Sequence, residues 1–391
     1  MPAAPLVAAL AALLLGTAAV TASSQIAPPR PGPGGSRLEP VAFEALRGWA
    51  LDDHEAALAA FLRTCPGLVA DAPALRPGLP TPEALRAVCR RALAGPGPAR
   101  AFFEREFQAF RIVPDEGRGF LTGYYEPEME ARTGPSPEFP VPVLGRPDDL
   151  VTFPPGETPP GLDPSLAAAR RTQAGLEPFP DRAAIQDGAL AGRGLALFYV
   201  RDEVELFLAQ VQGSARVRLA DGRVERLVYA GRNGHPYTSI GRVIVAEGHM
   251  ALEDMTLDRL KAWLRAHPAE ARRIMRLNRS YIFFARGEGM DPAHGPIGAA
   301  SAPLSPLRSI AVDRNLWPYG LPFFVSVALP VTLGVTEPFQ ALAIAQDTGS
   351  AILGPARADL FIGSGEAAGA RAGLVRQAMD LTVLLPRETT P

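Results

Sequence analysis

Apolar and polar positions follow a helical rhythm near the start of this chain and a strand rhythm over most of the rest. Between Asp52 and Phe110 the spacing is helical. "DDHEAALAAFLRTC" has acidic residues first and apolar ones at Ala56, Ala60 and Phe61, and "PARAFFEREFQAF" repeats the pattern. Between them, "TPEALRAVCRRAL" opens with Thr81 as N-cap and Pro82 at the first helical position. From Pro114 turn residues take over, and "FLTGYYEPEMEA" and "PEFPVPVLGRP" read as strands broken by Pro and Gly. The Pro-punctuated run from Pro154 to Pro180 reads as a long surface excursion. "LALFYV", "VELFLAQVQG" and "ARVRLADGRVERLVYA" follow as strands, with Asp221-Gly222 as a hairpin turn in the last. Helical spacing returns in "TLDRLKAWLRAH" and "PAEARRIMRL", with Pro268 at a helix start and Asn278 at its end. The strand "SYIFFA" and the short apolar runs "SIAVD", "FFVSVAL", "QALAIAQD", "ADLFIG" and "LTVLL" complete the chain. The expected class is mainly β, barrel or sandwich, with N-terminal helices.

The first residues break both rhythms. An apolar run from Leu6 to Leu15 is followed by small residues, with Val20 and Ala22 before Ser23, so residues 1–22 are expected to be a cleaved export signal. The run is shorter than the ~20 apolar residues a spanning helix needs. "QIAPPRPGPGGSRLEP" is rich in Pro and Gly, so residues 23–40 are expected to be a flexible tether and the fold to begin near Val41.

Composition narrows the partners. The 391 residues suffice for two cores, and 39 basic against 41 acidic side chains give no excess of cations for nucleic acid. In an exported protein Cys65 and Cys89 are a candidate disulfide; two buried thiols are the alternative. The five histidines, at 54, 235, 249, 267 and 294, show no paired ligand spacing, and no metal or other cofactor is expected.

The chemistry-bearing stretch is "QDTGSAILGPARADLF". Asp347-Thr348-Gly349 spells the loop of an aspartic protease, but that mechanism needs two such loops sharing a proton, and the chain has one. Asp359 follows twelve residues after Asp347, inside an apolar strand, so a hairpin return would bring both carboxylates to one cleft. Six glycines from Gly349 to Gly373 leave room for a polymer to approach. An acid in apolar surroundings beside another acid keeps its proton toward neutral pH. From spacing alone, Asp347 capping a turn and Asp359 in a surface pair remain the alternative.

Six motifs in order, "TGYYEP", "QGSARVRLADG", "YAGRNGHPYTSIGR", "NRSYIFF", "SIAVD" and "QDTGSAILGPARADLFIGSG", resemble the MltA family of lytic murein transglycosylases over about Thr122 to Gly373. The C-terminal part looks like that family's three-aspartate (3D) domain, with Asp313, Asp347 and Asp359 as the three. The resemblance implies a double-psi β-barrel from residues 41–127 and 275–388, a second β-barrel inserted over 128–274, and a glycan-binding groove between them. It implies Asp359 as catalytic acid and Asp347 as its supporting carboxylate. Thr122 and Tyr124 match the groove-lining motif, and Gln212, Gly213, Asn233 and His235 lie in motifs of the inserted domain. Thr122, Tyr124, Gln212, Asn233 and Asp313 are candidate substrate-binding residues, although Asp313 also suits a barrel turn. Trp317 is a sugar platform or core, and Glu126 is an alternative acid or a solvated loop carboxylate. The implied reaction is non-hydrolytic cleavage of the β-1,4 bond between N-acetylmuramic acid and N-acetylglucosamine, leaving a 1,6-anhydro end. The implied partners are peptidoglycan glycan strands and other cell-wall enzymes, with the protein a monomer. The location is periplasmic or at the outer membrane, with no cysteine directly following the apolar run to carry lipid. The rival is a non-catalytic peptidoglycan-binding scaffold.

Overall fold

The computed structural model describes residues 28–154, 156–287 and 295–387, so the expected export signal and His294 lie outside the described residues. Two β-barrels face each other across a cleft. In the first, six strands close in the order Gly119–Glu126, Arg376–Pro386, Pro322–Thr332, Val335–Asp347, Ser309–Val312 and Arg357–Ser364, the last pairing with the first. Two of the pairings are parallel, Ser309–Val312 with Val335–Asp347 and Arg357–Ser364 with Gly119–Glu126, which gives the crossed double-psi connections. Strand alternation sends Leu121, Ile310, Val312, Ala358 and Leu360 inward to the core and leaves the residues between them on the outer face.

The N-terminal helices His54–Val69, Glu83–Ala94 and Ala99–Glu106 pack against this barrel, with Phe61, Phe102 and Phe103 clustered on Phe107 at the start of the following strand. Asp53 caps the first through Ala56 N, and Cys65 is bonded to Cys89. The buried Gln346 fixes helix to barrel, its Nε2 donating to Thr64 Oγ1 at 2.7 Å and Ala60 O at 3.1 Å.

The tether expected before Val41 is corrected. Arg30–Pro31 and Arg37–Val41 are strands added, through Phe107–Val113, to the edge of the barrel sheet, and Leu38 is 4% exposed. The Pro and Gly residues make the 3-10 turn Pro33–Gly35 between the two strands, where Gly34 and Gly35 take φ of 60° and 78°. Turn chemistry and linker chemistry use the same residues.

The second barrel orders its strands Ile282–Arg286, Val224–Arg232, Ala215–Arg218, Glu128–Arg132, Ala196–Val200 and Val141–Leu144, and closes through a bridge between Gly145 and Phe284. Ile282–Arg286 thus belongs to the inserted barrel, which extends past the expected limit at 274. The excursion from 154 to 180 contains two strands of a small sheet, Ala168–Thr172 and Gly175–Pro178, and buries Ala168 and Phe179.

"VELFLAQVQG" is a helix, Glu203–Gln212, rather than a strand. Asp202 accepts a hydrogen bond from Glu205 N at its start, and Gly213 ends it at φ 84°. Leu206 and Ala209 pack into the barrel core while Val204, Phe207 and Leu208 pack into the cluster formed with the later helices. Burial on two faces erases the one-sided stripe from which a surface helix is read.

Among the described residues no helix is long and apolar enough to cross a membrane.

Candidate active site

The two acids meet by a route other than a hairpin. Their strands are not neighbours: Ser309–Val312 runs between them, and Ala311 is in register with Asp347 on one side and Asp359 on the other. With strands about 4.8 Å apart, their α-carbons are roughly 10 Å apart across a residue that has only a methyl group. Tyr124, Ala311 and Phe361 share this outer face in a small apolar cluster.

Asp359 is in register with Thr122 of the parallel strand. Thr122 Oγ1 donates to Asp359 Oδ1 at 2.6 Å and accepts from Arg357 Nη2 at 2.7 Å, so hydroxyl and guanidinium hold one carboxyl orientation. Burial, with a smaller contribution from the Asp347 charge, pushes the Asp359 carboxyl up to about 6, although Arg357 and the Thr122 hydrogen bond oppose the rise.

Asp347 receives three donors. Tyr124 Oη reaches Oδ2 at 3.0 Å, while Ala299 N at 3.0 Å and Thr348 N at 2.9 Å reach Oδ1. Burial, then Asp347 and Asp359, raises the Tyr124 phenol well above its usual range, so it stays a donor. The Ala299 contact depends on Gly298, where an added Cβ would lie 2.5 Å from Gln346 O.

Both acids, Thr122 and Tyr124 line a cleft of about 920 Å³ whose opposite wall is the second barrel. Gln212 reaches it from the end of its helix and accepts from Tyr125 N at 3.1 Å, tying that helix to the first barrel. Asp313 also borders the cleft but is spent on a turn, accepting from Asn315 N at 3.0 Å and Gly354 N at 2.9 Å. Asn233 does not reach it. It is 0% exposed, donates to Pro180 O and Arg279 O and accepts from Tyr281 N, so the substrate contact expected for it is replaced by a structural one. His235 is buried against Phe179 O, and Trp317 is core, its Nε1 donating to Pro355 O at 2.9 Å.

Glu126 is far from a solvated loop carboxylate. It is fully buried, accepting from Arg216 Nε at 2.9 Å, Arg226 Nε at 2.6 Å and Ser364 Oγ at 2.7 Å, and these contacts bind the end of a first-barrel strand to two strands of the second barrel. Among the described residues the one group spaced to share a cation is Glu247, His249 and Glu270, outside the cleft, and Arg273 pairs with both glutamates.

Residues 120–285 match the MltA specific insert domain, and residues 308–385 match the 3D domain. The crystal structure of a membrane-bound lytic murein transglycosylase from Agrobacterium tumefaciens is 38% identical, covers 90% of this chain and 98% of its own, and superposes with a TM-score of 0.81. The chain belongs to the MltA family. E. coli MltA, solved with bound chitohexaose, is 25% identical to this MltA-family chain with a TM-score of 0.63, over 85% of this chain and 90% of that one. Membrane-bound lytic murein transglycosylase A of Vibrio cholerae is 33% identical over 263 residues, 66% of this chain. The chain spans 63% of that relative's length.

Proposed function

We propose that this protein is a peptidoglycan lytic transglycosylase in which Asp359 acts first as acid and then as base. The observation that carries the reading is the Asp359 carboxyl itself. It opens on a polymer-sized cleft, keeps its proton to about pH 6, and is held by Thr122 and Arg357 in one orientation.

Protonated Asp359 donates to the oxygen linking muramic acid C1 to the next sugar, and the C1–O bond breaks as positive charge develops at the ring. The C6 hydroxyl of the same muramic acid attacks C1, and its proton passes to the Asp359 carboxylate, which restores the acid. The nucleophile is part of the substrate, so its effective concentration is high and no second carboxylate has to activate water. Asp347, held by three donors, supplies negative charge near the developing cation and helps keep the proton on Asp359. Tyr124 positions Asp347, and Gln212 borders the sugar path.

The chitohexaose bound by E. coli MltA supports a glycan occupant for the cleft. The apolar leader, and the membrane-bound names of the relatives, support an exported enzyme at the periplasmic face of the outer membrane. The test is digestion of murein sacculi by the purified protein followed by mass spectrometry. Muropeptides with 1,6-anhydro ends are expected, and Asp359→Ala should form none. Anhydro products from that variant would remove Asp359 from the role of acid, and glycan binding without products would leave a scaffold.

A further inference from the structure

Arginines outnumber acids in the cleft. Three of them are committed to holding the protein together. Arg182 bonds Asn278 O, Gln210 and Ser280 O; Arg146 bonds Ala230 O and Leu150 O; Arg357 bonds Thr122. The other three are largely uncommitted. Arg76 uses Nη1 on Thr348 O at 2.7 Å, and its guanidinium carbon sits over the Tyr229 ring, 4.2 Å from the centroid. Arg232 uses Nη1 on Ser350 Oγ at 2.9 Å, and the Arg314 guanidinium has no hydrogen bond among the described residues. Each guanidinium has five N–H groups, so most of their donors are free.

The backbone is shaped to gather them. Tyr229 and Arg232 are three residues apart, which in a regular strand puts them on opposite faces. The pairing of Val224–Arg232 with Ile282–Arg286 slips by one residue between Tyr229 and Gly231, and the bulge at Ala230 turns both side chains to the cleft. Arg76 comes from the loop between the first two long helices, and Arg314 from the turn after Ser309–Val312. Three separate segments therefore bring cations to the Asp347 side of the cleft, and among the described residues none of the three forms an ion pair. Burial lowers the Arg232 guanidinium; Tyr229 opposes the fall, and the charges of Arg76 and Arg314 add to it. Uncompensated cations converging in a half-buried cleft are stabilised by an anionic ligand.

We infer that Arg76, Arg232 and Arg314 form a carboxylate subsite for the acid groups carried on muramic acid. The inference rests on the glycan reading of the cleft. The N-acetylated sugar backbone is neutral, so the negative charge of the polymer is in the lactyl group of muramic acid or, when that group is amide-linked, in its stem peptide. Planar guanidinium forks recognise such groups.

The test is equilibrium binding to the Asp359→Asn protein, chosen to hold substrate without turnover. The probes are a neutral N-acetylglucosamine hexamer, a peptide-free muramic acid-containing hexasaccharide, and the same saccharide bearing stem peptides. At least one acidic probe should bind about tenfold more tightly than the neutral one at low salt, with the preference shrinking in 1 M salt as charges are screened. Preference for the peptide-free probe identifies the lactyl carboxylate, and preference for the peptide-bearing one alone identifies the stem. Added separately, Arg232→Gln and Arg314→Gln should cut the preference to about threefold or less, while Arg314→Lys retains more of it. Melting temperature checks that each variant is folded. Equal binding of neutral and acidic probes, or a preference that survives both Gln substitutions, overturns the subsite and leaves the glycan reading intact. Failure of all three probes to bind overturns the glycan reading, and the subsite with it.

Discussion

Replacing Asp359 by Asn should make the protein more stable at neutral pH, and the size of the effect follows from the site. The folded carboxyl titrates at about 6 against an ordinary value of 3.8. Because the folded state holds this proton more tightly than the unfolded state, stability falls as pH rises from about 4 to about 6, and the full penalty remains above that range. A little over two pH units at about 1.36 kcal/mol each gives about 3 kcal/mol, an upper figure because cleft water reaches the group. Asn keeps an acceptor for Thr122 Oγ1 and removes the charge. Urea unfolding of parent and variant at pH 3.5, 5 and 7.5 measures it. The variant should gain about 1–3 kcal/mol at pH 7.5 and almost nothing at pH 3.5, where both side chains are neutral. A variant no more stable than the parent at pH 7.5, or a gain independent of pH, would refute a proton held by burial on Asp359.

On the proposed mechanism the same carboxyl also sets the rate. Turnover on sacculi should fall above about pH 6 and approach a tenfold loss per pH unit, and a rate unchanged between pH 6 and pH 8 would assign the acid elsewhere. Glu126→Ala removes the fully buried carboxylate that accepts from Arg216, Arg226 and Ser364 and should cost about 3–5 kcal/mol, measured by urea unfolding; a loss under about 1 kcal/mol would contradict its part in joining the barrels. The Cys65–Cys89 bond closes a 24-residue separation, so the double Ala variant should lose about 3 kcal/mol in unfolding measurements.

Much of the first barrel was legible because its strands alternate between an apolar interior and an outer face, and the C-terminal runs from "SIAVD" to "LTVLL" keep that period. The nearness of Asp347 and Asp359 was legible too, but its geometry was not. A local spacing of twelve residues suggests a hairpin, whereas the intervening strand Ser309–Val312 comes from an earlier part of the chain. Glu203–Gln212 escaped because tertiary burial on two sides hides helical period, and Arg30–Val41 because Pro and Gly serve turns as well as linkers. Asn233 sits in a family motif without touching the cleft, since its amide is consumed in holding three backbone groups. The arginine cluster had no signal in the sequence: it depends on a one-residue slip at Ala230 and on segments more than eighty residues apart.

The central claim is that the substrate's own hydroxyl, and not water, takes the place of the leaving sugar. Digestion of sacculi in heavy-oxygen water, with mass spectrometry of the new chain ends, tests it directly. The account predicts 1,6-anhydro ends that contain no heavy oxygen. Reducing muramic acid ends labelled at C1 as the main product would contradict it.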